Sequence, residues 1–158
     1  MSGEKRIDHF NTMVGLIFAQ LYESFPIATE IDEAAIADAM EVTKTRNPNI
    51  EWQEVYEFGA LPSGDPFRTI LWAALVWLRD EGFIRGEGRD LPVSDIILTS
   101  KALLAMNAIP EGLDKPLGAR LTDAAKDGGK AVGNAAMSAT MSEIVGQVLG
   151  SALRGWMG

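Results

Sequence analysis

The chain has no cysteine and one histidine among its 158 residues. The missing cysteines exclude disulfide scaffolds, thiol catalysis and cysteine-ligated zinc or iron–sulfur centres. A single histidine excludes His-rich metal sites and leaves His9 as the sole imidazole for a catalytic triad. Basic residues are few: 14 Lys and Arg stand against 22 Asp and Glu, a formal charge of −8. That balance argues against broad non-specific nucleic-acid binding, which needs a positive surface. Long apolar runs are also missing. Residues 70–78 form nine consecutive apolar positions, far short of a bilayer span. No P-loop, no G-x-G-x-x-G after a strand, no H-E-x-x-H and no G-x-S-x-G occurs.

What is present is enough for a core. Hydrophobic residues make up 47%, which fits a globular domain of this length. The charge is uneven: residues 1–60 carry net −7, 61–116 net −2 and 117–158 net +1. The weakly basic tail packs on its own acidic domain, or it meets a partner or an anionic membrane surface. Residues 1–12 hold charges and no apolar h-region, and no small-residue cleavage site follows. A cytoplasmic location is therefore expected.

Periodicity predicts a helix over 7–25, where Ile7, Phe10, Val14, Ile17 and Leu21 share one face and Pro26 stops the chain. A short second helix follows, with Thr29 as its cap and Asp32 completing a shortened capping box. Residues 50–58 read as a short helix, although Ile50, Trp52, Tyr56 and Phe58 also alternate like a strand. Asp65-Pro66 is a helix start, with Asp65 as N-cap and Pro66 at the first helical position. The helix runs to about Asp80, and its apolar centre implies burial on most sides. A hairpin signal follows, with strands at 82–85 and 93–98. Thr99 opens a helix that ends near Pro110, and residues 110–118 read as a linker.

This order resembles a winged-helix domain over residues 7–110. The resemblance is carried by Trp77-Leu78-Arg79-Asp80-Glu81-Gly82-Phe83-Ile84-Arg85, then Leu98-Thr99-Ser100-Lys101-Ala102-Leu103-Leu104. Bacterial winged-helix regulators often read W-L-x-x-x-G-[FL]-I and L-T-x-K-G-x-x-x-L at this separation. The implied fold is mainly α with a small β-hairpin. Two features depart from it. Some 25 residues separate Met40 from Pro66, where a helix-turn-helix has a turn of about three or four. The helix expected to recognise DNA has only Arg68 and Arg79 as cations and Thr69 as its hydroxyl, whereas a major groove calls for exposed donors.

The expected organisation is a winged-helix-like domain over 1–110 with an insertion at about 41–66. A linker at 111–118 and an Ala/Gly-rich helical tail over 119–158 follow. Small residues recur in the tail at Ala125, Gly129, Gly133 and at Ser138, Ser142, Gly146, Gly150. Such ridges let another helix approach closely, so Gly129, Gly133, Ser142, Gly146 and Gly150 form a candidate assembly ridge. Arg120, Asp123, Lys126, Asp127, Lys130 and Asn134 cluster on one face, with Glu143, Gln147 and Arg154 roughly opposite. Two helical segments, broken or rotated somewhere in 128–140, or one helix whose partner changes sides, are therefore expected.

Few residues suggest chemistry. Glu51, Glu54 and Glu57 would share one face of a helix. They read as a solvated face, since one helix supplies too few converging oxygens for a cation. His9 reads as a partly buried or surface residue rather than a general base, which would need a nucleophile and an orienting group that the sequence does not reveal. No enzyme activity, metal or cofactor is expected. The leading expectation is a non-catalytic interaction protein that assembles with itself or a protein partner through its apolar helix and tail. The alternative is a bacterial DNA-binding regulator, with Arg85, Arg89 and Lys101 as candidate nucleic-acid contacts. A further alternative is a membrane-associated effector acting through residues 117–158.

Overall fold

The structure is a computed structural model that describes residues 6–46, 56–109, 111–127 and 133–157. It is mainly helical with two small antiparallel hairpins. The elements run α1 (Arg6–Ser24), α2 (Glu33–Ala39), β1 (Lys44–Arg46), β2 (Tyr56–Phe58), α3 (Phe67–Asp80), β3 (Ile84–Glu87), β4 (Ser94–Leu98), α4 (Ser100–Met106), α5 (Leu117–Asp127) and α6 (Gly133–Met157).

The first helix is the axis of the core. Its residues Thr12 to Ala19 are buried without interruption, so it is covered on all sides rather than on one stripe. It packs on α2, α3, β4, α5 and α6. Gly15 permits the approach of α6: a methyl group there would lie 2.6 Å from Sδ of Met141. The α6 face Met141, Ile144, Val145, Val148 and Ala152 is buried in the same cluster as Met13, Ile17 and Phe18. An apolar face of the tail is thus used inside the chain. The tail forms two helices, α5 and α6, with residues 128–132 between them outside the described residues. Arg120 of α5 donates to Gln147 of α6 at 3.1 Å.

Several local expectations are corrected. The second helix is capped by Asp32, whose carboxylate accepts from Ala35 N at 3.0 Å. Thr29 instead forms a one-residue bridge with Ile96 of β4. Its backbone was needed for a β-partner, so it could not take the helix-start geometry. Residues 56–58 are strand, not helix: β2 pairs with β1 in the register Lys44 with Phe58. The rest of the 50–58 reading, with Glu51 and Glu54, lies outside the described residues. Asp65 is not the cap of α3. Pro66 holds that place with no side-chain cap. The Asp65 carboxylate is taken by Arg6 (Nε 2.8 Å, Nη2 3.0 Å) and by the Ser63 hydroxyl at 2.9 Å. A guanidinium makes two charge-assisted bonds where a helix terminus offers weaker ones.

The expected hairpin forms, but β3 starts at Ile84 rather than Gly82 and runs through Gly86 to Glu87, and β4 starts at Ser94. Ile84 pairs with Leu98 and Arg85 with Ile97, with a bulge between Arg85 and Glu87. Gly82 ends the turn after α3 at φ +82°, a conformation that side chains disfavour. Thr99 caps α4, accepting from Ala102 N at 3.3 Å, while its hydroxyl donates to Gly82 O at 2.6 Å. That one side chain ties the end of β4 to the turn before β3.

Candidate functional site

The third helix is not buried on most sides. Phe67, Ile70, Leu71, Ala74, Leu75 and Leu78 face the core, and the opposite face is open. Trp72 is 43% exposed, Ala73 is exposed and Val76 half-buried. An apolar run is not an apolar cylinder: with 3.6 residues per turn the core covered one side, and nothing in the described chain covers the other. Trp77 is partly sheltered, edge-on to Phe10 at 5.5 Å and stacked on Phe83 at 6.1 Å.

Arg68, Trp72, Val76 and Asp80 follow at four-residue steps and form a ridge along this face. Two hollows meet on it. The larger, about 660 Å³, lies between α2, β2, α3 and the loop into β4. Its lining includes Ile31, Phe58, Trp72, Leu91 and Val93, with Glu30, Asp32, Glu33 and Arg68. The second, about 520 Å³, is shallower and is lined by Trp72, Ala73, Val76, Trp77, Asp80, Asp90 and Leu91. Trp72 and Leu91 belong to both, so the hollows form one trough.

Glu33 organises the deeper end. One of its oxygens accepts from Arg68 Nη2 at 3.1 Å and Nε at 3.2 Å. The other accepts from Trp72 Nε1 at 3.2 Å. Glu33 stands in the first turn of α2, where the backbone N–H groups favour a carboxylate. The Arg68 guanidinium also sits 4.9 Å from the Phe58 ring and 5.9 Å from the Trp72 ring. The Nε and Nη2 edge of this cation is thus bonded to Glu33 and two aromatic rings lie beside it, and the Trp72 indole is held in place by Glu33.

The expected nucleic-acid contacts lie on the β3–β4 hairpin and on α4. Arg85 is exposed on β3 and Arg89 is exposed in the turn beyond it. Lys101 is half-buried: its Nζ donates to Glu81 O at 2.9 Å and lies 4.5 Å from the Phe83 ring centre. It serves the C-terminal end of α3, where a cation is favoured. Arg79 of α3 is paired with Asp80 at 3.3 Å.

The expected assembly ridge is only partly on show. Gly129 lies outside the described residues, and Gly133 opens α6. Ser142 and Gly150 are half-buried and Gly146 is exposed. A side chain built at Gly146 would meet nothing within 4 Å. The close helix approaches are made elsewhere, at Gly15 against Met141 and at Gly118 against Tyr22. His9 is buried on α1 and Glu57 is exposed on β2. Among the described residues no group of three or more His, Asp or Glu could hold a metal ion. No helix among them is long and apolar enough to cross a membrane.

Sequence reasoning missed the part played by Glu33, Phe58, Leu91 and Val93. The step of four in Arg68, Trp72, Val76 and Asp80 was readable. The partners of that ridge come from three distant segments with no shared motif. No protein family, curated protein or solved structure matches the chain.

Proposed function

We propose that the chain is a non-catalytic interaction protein, a winged-helix-like domain that holds a protein partner or a second copy of itself against the open face of α3. The observation that carries this reading is the exposed Trp72, fixed by Glu33 and set in an apolar trough with Val76, Leu91 and Val93. A side chain of this size left in water but locked in orientation is the usual anchor of a protein interface. The order of α1, α2, α3, the β3–β4 hairpin and α4 supports the winged-helix reading, with the β1–β2 hairpin inserted between α2 and α3. The tail adds a smaller surface, the edge of α6 at Gly146. A cysteine-free chain also suits a reducing, cytoplasmic setting.

DNA binding is the second reading, favoured by the exposed Arg85 and Arg89 on the hairpin. The chemistry of α3 opposes it, because Arg68 and Arg79 are both ion-paired.

The two readings separate in one set of measurements. Solution mass is taken by light scattering for the wild type, Trp72→Ser and Gly146→Leu, together with binding to duplex DNA at low salt. A defined oligomer that either substitution dissociates supports self-assembly. A salt-sensitive DNA affinity abolished by Arg85→Glu with Arg89→Glu, and untouched by Trp72→Ser, would overturn the protein-interaction reading in favour of the second.

A further inference from the structure

The trough on α3 differs in charge between its middle and its ends. Trp72, Ala73, Val76, Trp77, Leu91 and Val93 make the middle apolar. Glu30 and Asp32 line the end near Arg68, and Asp80 and Asp90 line the other. Arg68, the one cation of the lining among the described residues, is spent on Glu33. Asp32 caps α2 through one carboxylate oxygen, and Asp80 shares Arg79. Neither Arg85 nor Arg89 lines either hollow. From Arg68 to Asp80 the helix rises about 18 Å at 1.5 Å per residue.

We infer that this trough is the docking groove for a segment of a different protein, one with an apolar or aromatic centre flanked on both sides by lysine or arginine. The inference rests on the reading of α3 as an interaction face and names the chemistry of its occupant. An apolar centre takes the exposed surface of Trp72 and Val93 out of water. Cations at both ends meet carboxylates that have no full partner within the lining. Such pairs choose the partner and its register more than they add affinity. The span suits about three turns of helix or about six residues of strand. The same charges reject other occupants. Nucleic acid and an anionic membrane would bring phosphates onto Glu30, Asp32, Asp80 and Asp90. The same face of a second copy would bring like charges together.

The test is a display library of random peptides, about sixteen residues long, selected on the full chain at low salt. Enriched peptides are expected to place Lys or Arg on both sides of an apolar or aromatic centre. Synthetic copies should lose about thirtyfold or more in affinity for Trp72→Ser, as for the anchor of an interface. Glu30→Gln and Asp90→Asn should each weaken them about two- to fivefold, with an effect that fades as salt rises. These two exposed positions leave the fold untouched and keep the test valid if Trp72→Ser is poorly folded. Peptides that depend on Trp72 but show no basic bias, or that ignore both carboxylate variants, overturn the inference and leave the docking face standing. If no enriched peptide depends on Trp72 or on the carboxylates, the docking face falls as well. Duplex DNA that binds the wild type and not Trp72→Ser assigns the trough to nucleic acid and overturns both.

Discussion

The ring of Tyr22 fills the space that a side chain at Gly118 would need. Three ring atoms crowd that position, and the ring is pinned by its hydroxyl, which donates to Asn107 Oδ1 at 3.3 Å. Alanine is the better helix former by about 1 kcal/mol. Gly118→Ala is nevertheless expected to destabilise, by about 1–3 kcal/mol, because a rigid ring cannot yield as a flexible chain end can. Urea unfolding measures it. A neutral or stabilising result would mean that α5 moves freely on α1.

Thr99→Ala removes the cap of α4 together with the hydroxyl's shared bond to Gly82 O and Phe83 O. A cap alone is worth about 1 kcal/mol, and an unsatisfied acceptor adds to the loss. The expected cost is about 1–3 kcal/mol, with most of it recovered in Thr99→Ser. Thermal melts of the three proteins give the comparison.

The Arg6–Asp65 pair sets an acid-dependent term. The hydrogen bonds from Arg6 and then from Ser63 hold the Asp65 carboxyl below its ordinary value of 3.8. A carboxyl lowered on folding stabilises above the unfolded value and loses that effect as pH falls through the folded one. Arg6 is 71% exposed, so water and salt screen the pair and the effect is small. The stability gap between wild type and Asp65→Asn should be open at about pH 6 and close steadily below about pH 3.8. Unfolding midpoints across that range decide it. A gap that stays constant with pH would show that Asp65 acts by packing alone.

Removing residues 117–158 is expected to leave a chain that aggregates. The cut takes away Leu117, Leu121, Met137, Met141, Ile144, Val145 and Val148, all buried against the rest of the core. It exposes the faces of α1 and α4 that α5 and α6 cover. Light scattering of residues 1–116 beside the full chain checks it. A soluble, folded monomer would show that the tail is a separable attachment.

The helices were legible where one face alternates with another. The spacing of Phe10, Val14, Ile17 and Leu21 marked α1, although Ile7 at its start is exposed and its middle is covered all round, and Gly82 with Thr99 marked both ends of the hairpin. What the sequence hid were choices between partners. Asp65 had a helix start beside it and an arginine far along the chain, and the arginine won. Thr29 had a cap and a strand to choose from, and the strand won. The apolar centre of α3 looked buried because residue types tell how much surface prefers burial, not which neighbours exist to supply it. The trough was hidden for the same reason, since Glu33, Phe58 and Leu91 converge only in space.

The contact between α1 and α6 has a consequence for biosynthesis. Gly15 leaves the ribosome more than a hundred residues before Met141, and the two meet in the finished core. Until α6 is made, Met13, Ile17 and Phe18 lack one of their walls, so the first helix stays a sticky strip on a growing chain. Completion of the core waits for translation to reach the tail, and a nascent-chain chaperone would find its target on α1.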